Sequence, residues 1–329
     1  MDKAITALKH KPNLLQSQLT SASLAKSVNV TSINSLSRGP SYDGGSAKLP
    51  PLVKSTSKSF DYYPGYFMDA LKKVIIQKNV TTARDKIYFE QYIKNIKDLT
   101  SMATDELLDE EEYLDKIKMR KHLKEVESAF PEVPFEKPLL VLDMDETLVH
   151  CLKDNHKEGW SEIIYLAPNK QPISLRYNIR PFAREFLEEM SNLFEIYVFT
   201  ASEIGYARTL IQTIDPNREF VKKIFDRRFC CVTQKGYVVK DLRIFTKESR
   251  LKKIFLVDNS SYCFFPQQKN GIPIIPFENN KADRELLELK EYLKYLLNEK
   301  EPVEFNTNYF KLDKYSKGGR MDELAFSLF

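Results

Sequence analysis

Leu139-Leu140-Val141-Leu142-Asp143-Met144-Asp145-Glu146-Thr147-Leu148-Val149-His150 is the stretch from which the rest of the chain can be read. Four apolar residues follow Pro138 and run into two aspartates spaced i, i+2, with Thr147 two residues further on. An unbroken apolar run of this kind reads as a strand buried on both faces, as in a parallel sheet. In open α/β sheets ligands bind beyond the carboxyl ends of the strands, where Asp143 and Asp145 would lie. Two carboxylates and a hydroxyl at that place suit a hard cation and phosphoryl transfer.

Outward from this stretch the text alternates short β-like runs with helical patterns, the mark of an α/β domain with a parallel sheet. Ile163–Leu166 and Ile173–Arg176 flank Ala167–Pro172 as a hairpin-like flap, and Pro181 opens a helix carrying Phe182, Phe186, Leu187 and Met190. Phe194–Phe199 is a second core strand ending at Thr200, followed by a helix over Glu203–Thr213. Ile224–Asp226 and Phe229–Val239 are β-like, with Lys240 at the end of the latter. Lys253–Val257 is a third core strand, ending at Asp258 and Asn259, and Ala282–Leu297 is a closing amphipathic helix. If the strands are parallel, Asp143, Asp145, Thr200, Lys240, Asp258 and Asn259 meet along one sheet edge.

Composition sets the outer bounds. The chain has 329 residues, 42% of them hydrophobic, with 21 Phe and 17 Tyr, ample for a core. A net charge of +4 gives no reason to expect nucleic-acid binding. No apolar run reaches the roughly 18 residues of a spanning helix, and the first residues lack a signal-peptide core, so a soluble protein of nucleus or cytoplasm is expected. The four cysteines form no C-x-x-C pair, so inert thiols are expected rather than a zinc site or disulfides. Residues 1–60 are rich in Ser, Thr and Lys and read as a disordered tail. Residues 61–135 read as a helical extension, with Phe67 to Ile75, Ile87 to Ile96 and Leu107 to Leu123 at helical spacing. A domain over 136–298 and a mixed C-terminal tail over 299–329 complete the division.

The motifs Asp143 to His150, Phe199 to Ser202, Val239 to Leu242 and Val257 to Ser260, in this order, resemble the FCP/SCP-type phosphatases of the haloacid-dehalogenase superfamily. The resemblance covers about half of the chain. It implies a haloacid-dehalogenase-like (Rossmann-like) sheet flanked by helices, and a Mg²⁺-dependent protein serine/threonine phosphatase acting on phosphoproteins, the RNA polymerase II C-terminal domain among them. On that resemblance Asp143 is the nucleophile that becomes an aspartyl-phosphate, and Asp145 is the general acid and base. Mg²⁺ is held by Asp143, the carbonyl of Asp145 and Asn259, with Asp258 in support. Thr200 and Lys240 hold the phosphoryl group, and Arg228 lies near the phosphopeptide. Met144 and Phe182 stand where the family usually has Leu and Gly.

Fifty-seven residues separate Asp143 from Thr200, which leaves a flap of about 25 residues and no room for a large cap domain. An open site suits a protein segment, with Trp160, Ile164, Leu166 and Leu175 either walling the peptide or packing the flap on the domain. An EF-hand reading fails because Leu148 stands where the loop requires Gly. A receiver-like phospho-switch does not explain the Asp-x-Asp pair together with Asp258-Asn259. An inactive scaffold that keeps the fold stands as the alternative to an enzyme, with the receiver-like switch behind it.

Overall fold

The computed structural model describes residues 83–102, 137–152, 161–233, 235–245 and 248–313. The Ser-rich tail, the patterns at Phe67 to Ile75 and Leu107 to Leu123, Trp160 and the C-terminal stretch from residue 314 lie outside these residues. All described residues belong to one unit, Asp61–Phe329.

Its centre is β1 (Leu139–Leu142), every residue of which is fully buried. Each such side chain stabilises the fold by roughly 1.5–3 kcal/mol. Strands β5 (Glu195–Phe199) and β9 (Ile254–Asp258) flank it, and β6 (Val221–Phe225) and β10 (Gly271–Pro273) form the edges. The order is β10-β9-β1-β5-β6 with every pairing parallel, the α/β architecture that the sequence implied. Leu142 pairs with Val198 on one side and Val257 on the other, so Asp143 and Asp258 lie level and Thr200 one residue beyond. Register therefore brings the polar strand ends together.

Helices α1 (Ala83–Met102), α2 (Ala183–Ser191), α3 (Ile204–Ile214), α4 (Glu285–Leu296) and α5 (Pro302–Phe310) surround the sheet. Helix α1 carries the second periodic pattern of the extension, with Ile96 buried, Ile93 partly so and Ile87 exposed. Its Tyr92 hydroxyl donates to the carbonyl of Phe310 at 3.0 Å. Residues 299–313, expected as a mixed tail, instead contain α5. There Asn306 donates to the carbonyls of Lys269 and Gly271 and accepts from Tyr292, so the segment is fastened to the domain.

Other elements differ from the sequence reading for local reasons. The flap is a three-stranded antiparallel sheet in the order β2-β4-β3, because β2 (Val149–Leu152) pairs with β4 (Pro172–Ile179) beside β3 (Ser161–Leu166). Ile163 and Tyr165 face inward, whereas Ile164 and Leu166 are 64% and 62% exposed. Helix α2 starts two residues after Pro181 because Phe182 adopts a left-handed conformation, φ 66°. This is a geometry that glycine tolerates and other residues hold at a cost of about 1–2 kcal/mol, a physical reason for the Gly usual there in the resembling family. The run Phe229–Val239 is not continuous: a 3-10 turn at Arg227–Phe229 precedes the short pair β7 (Cys231–Val232) and β8 (Val238–Val239).

The flap is fastened to the domain at one close approach. A Cβ on Gly205 would stand 2.7 Å from the carbonyl oxygen of Leu166, so only glycine lets β3 come so near α3. Beside it the rings of Tyr165 and Tyr206 meet edge to face, 5.6 Å between centroids. Arg180, at the end of β4, is fully buried and anchors the other side. It forks onto Asp283 with two contacts of 2.9 Å and donates to the carbonyls of Thr147 and Ile275.

Candidate active site

Asp143 ends β1 with its backbone N–H donating to Val257 in the neighbouring strand. The carboxylate is nearly buried and both oxygens have partners: Lys240 Nζ at 2.5 Å on Oδ1 and Thr147 Oγ1 at 3.0 Å on Oδ2. Each carboxylate oxygen has two acceptor positions, so lone pairs remain. Lys240 also reaches Asp258 Oδ2 at 2.7 Å, standing between two buried carboxylates. Burial disfavours its charged form, but Asp143 and Asp258 outweigh this and hold the ammonium charged, its pKa well above the ordinary lysine range. For Asp258, burial pushes the carboxyl up to about 6 against the pull of Lys240. Its second oxygen accepts the N–H of Ser260, which shapes the loop carrying Asn259.

Asp145 is treated differently. Tyr206 donates to its Oδ1 at 2.5 Å, while Ser202 and Thr200 donate to Oδ2 at 2.7 and 3.2 Å. Burial raises its pKa, with the Asp143 charge adding to the effect and the three hydroxyls opposing it. The result is a carboxyl biased toward its protonated form beside a carboxylate paired with a lysine. That division of environments is how two like groups acquire acid and nucleophile roles. Tyr206 also touches Cys151 Sγ at 3.0 Å. Burial pushes the thiols of Cys151 and Cys230 up to about 12, so they stay protonated at neutral pH.

Asn259 Nδ2 donates to Glu146 Oε2 at 3.0 Å, which fixes the orientation of the amide. Glu146 sits in a tight turn with φ 60° and accepts the Phe277 N–H at its carbonyl. Behind Asn259, Gln91 of α1 donates to its carbonyl at 2.9 Å and to Asn95 at 3.2 Å. Ser261 in turn donates to the carbonyl of Asn95. The metal-binding loop of the sequence reading is thus backed by a helix nearly 170 residues upstream.

Of the predicted residues, Asp143, Lys240 and Asp258 form one hydrogen-bonded cluster and Asp145 and Thr200 another. Asn259 bonds to Glu146, the residue that follows Asp145 in the chain. Arg228 is set differently: its guanidinium forks onto Asp226 at 2.7–3.0 Å, stacks near Phe229, and lines a cleft between α3 and β6. The sequence reading passed over Ser202, Tyr206, Glu146, Arg180 and Gln91. Ser202 and Tyr206 follow Thr200 closely enough to be suspected; Gln91 carries no local signal at all.

A parallel α/β sheet with polar groups gathered at its carboxyl edge and a small flap is the arrangement that the sequence reading expected. Residues 138–304 match the family model described as NLI interacting factor-like phosphatase, and the chain belongs to that family. It is 36% identical over 173 residues to CTD small phosphatase-like protein 2 of Dictyostelium discoideum, covering 53% of this chain and 30% of that protein. To the human CTD small phosphatase-like protein it is 34% identical over 177 residues, 51% of this chain and 60% of the other. The fission yeast RNA polymerase II CTD phosphatase Fcp1 bound to beryllium fluoride aligns at 17% identity with TM-score 0.36, covering 65% of each chain. The match spans only 30% and 60% of the length of these curated relatives.

Proposed function

We propose that this chain is a Mg²⁺-dependent protein serine/threonine phosphatase working through an aspartyl-phosphate. The observation that carries the reading is the contrast between two carboxyl groups two residues apart. Asp143 is paired with an ammonium; Asp145 is enclosed by hydroxyls and biased toward the acid.

An Asp143 oxygen attacks phosphorus, and the bond from phosphorus to the seryl or threonyl oxygen breaks. The departing oxygen takes the proton of Asp145. Asp145, now a carboxylate, removes a proton from water as the water oxygen attacks phosphorus and the bond to Asp143 opens. Inorganic phosphate leaves with Asp143 and Asp145 restored. Lys240 balances negative charge at the first step, and Thr200 turns its hydroxyl from Asp145 toward the phosphoryl oxygens. The donor set fits Mg²⁺: carboxylate, amide and carbonyl oxygens from Asp143, Asn259 and Asp145, few enough to leave places for water. When bound, the ion would keep carboxylate and phosphate from repelling each other.

A phosphorylated protein segment is the substrate class. On the flap, Ile164 and Leu166 present apolar side chains outward instead of packing it on the domain. Leu175 does pack on the core. Phosphorylated repeats of the RNA polymerase II C-terminal domain are the first peptides to try. Work in nucleus or cytoplasm belongs to the same proposal, and among the described residues no helix is long and apolar enough to cross a membrane.

The test is hydrolysis of phosphoserine, phosphothreonine and phosphotyrosine peptides with and without EDTA, comparing wild type with Asp143→Asn and Asp145→Asn. Loss of serine and threonine turnover in each variant and with EDTA is expected. Full activity in Asp143→Asn would remove the covalent route, and no turnover by wild type would favour the scaffold.

A further inference from the structure

A cleft of about 390 Å³ runs between α3 and the sheet-edge strand β6. Its lining includes five cationic side chains, Arg208, Arg218, Lys222, Lys223 and Arg228, against one carboxylate, Asp215. That carboxylate is buried and its oxygens are occupied by the N–H groups of Glu219, Phe220 and Val221. Not all of the cations are unengaged. Arg228 forks onto Asp226, Lys223 lies over the Tyr197 ring, and Lys222 donates to the Glu219 carbonyl. Arg208 and Arg218 are exposed. Ile211, Phe225 and Phe229 give the cleft an apolar floor.

One end of the cleft lies beside the candidate active site. Ile204 lines it two residues after Ser202, whose hydroxyl holds Asp145, and Arg227, next to Arg228, donates to the carbonyls of Ala201 and Ser202. The other end lies at Asp215, past the last turn of α3. This helix has 11 residues, a length of about 16 Å, which an extended peptide covers in about five residues.

We infer that this cleft is a docking groove for an acidic stretch of the phosphoprotein substrate, about three to six residues from the phosphorylated side chain. The inference rests on the phosphatase reading for what brings the peptide there. The groove itself rests on the cation lining, the apolar floor and its position. Carboxylates and further phosphates share the chemistry that Arg208, Arg218, Lys222 and Lys223 would attract, and the apolar floor matches the stem and backbone of an extended chain better than a polyphosphate backbone.

The experiment uses the full chain and three phosphoserine peptides. One has four Glu at positions 3–6 after the phosphoserine, one has them before it, and one has Gln in their place. A roughly three- to tenfold lower KM is expected for one of the Glu peptides at low salt, shrinking as screening increases. The double charge reversal Arg208→Glu/Lys222→Glu should abolish that preference, and Arg208→Gln/Lys222→Gln should reduce it. Both variants should keep wild-type turnover of p-nitrophenyl phosphate and of the Gln peptide. Equal KM values for all three peptides, or an equal loss on all three in the variants, would overturn the groove. So would displacement of a labelled Glu peptide by an oligothymidylate at lower concentration than by the unlabelled peptide. Fluorescence anisotropy of the same peptides on Asp143→Asn separates the two ideas: selective binding of a Glu peptide by a chain without turnover upholds the groove alone.

Discussion

Replacing Lys240 with Met would test the charge arrangement on which the whole site depends. The ammonium contacts Asp143 at 2.5 Å and Asp258 at 2.7 Å, and its side chain is 1% exposed, against 9% and 1% for its partners. Removing one member of a buried ionic group strands the others, at a cost of about 3–5 kcal/mol. For a domain of this size that corresponds to a fall in Tm of roughly 6–20 °C. Thermal unfolding followed by circular dichroism in EDTA would measure it. Adding Mg²⁺ at one hundred times its Kd should recover about 2.7 kcal/mol, because the ion binds only the folded chain. The double variant Lys240→Met/Asp258→Asn should be more stable than Lys240→Met, since one stranded charge is gone. Turnover on a phosphopeptide should fall by about 10²–10³ in kcat, the scale for losing one preorganised donor. A Tm for Lys240→Met within about 2 °C of wild type in EDTA would show that the two carboxylates do not depend on the ammonium, and the electrostatic account would be wrong.

Arg180→Met should destabilise by about 3–5 kcal/mol because Asp283 loses its partner; adding Asp283→Leu should return part of it, read from urea midpoints. Gln91→Leu should weaken binding of Mn²⁺, used as a paramagnetic stand-in for Mg²⁺, by roughly three- to tenfold in electron paramagnetic resonance titrations, while unchanged binding would deny α1 any part in the loop. Glu189 accepts from Lys290 at 2.6 Å, and this pairing lowers its pKa. The stability it adds should therefore be present above the ordinary carboxyl range and disappear as pH falls through the depressed value. With Glu189 43% exposed, Glu189→Gln should cost under about 1 kcal/mol at pH 7, and nothing in 1 M salt.

Asp143, Thr200 and Asp258 of the candidate site were legible because each follows a strand's hydrophobic run, which announces itself, whereas Lys240 follows the two-residue β8. Once β1 is read as buried and parallel, Asp143, Asp258 and Thr200 must meet, and the register shows why. Short or interrupted elements were not legible. β10 has only three residues, Phe182 delays a helix by its backbone conformation, and α5 is recognised only by what Asn306 and Phe310 touch. The cage around Asp145 was half visible. Thr200 ends a strand, but Ser202 and Tyr206 look like ordinary helix-entry residues until α3 is seen to turn them inward. Arg228 was placed by resemblance, and its grip on Asp226 depends on a 3-10 turn that the β-like reading of the region concealed.

The grip of α1 on Asn259 bears on where this protein can be cut. The family match begins at residue 138, yet Gln91 holds the carbonyl of the residue proposed to bind the ion. A version trimmed to begin at residue 138 would keep every side chain proposed for the chemistry and lose a brace behind one of them. It should demand more magnesium to work, and it would also expose the core that Tyr92, Ile96, Leu99 and Met102 of α1 belong to. Substitutions along α1 would therefore act as a dial on metal demand, set from a part of the chain that takes no share in the chemistry.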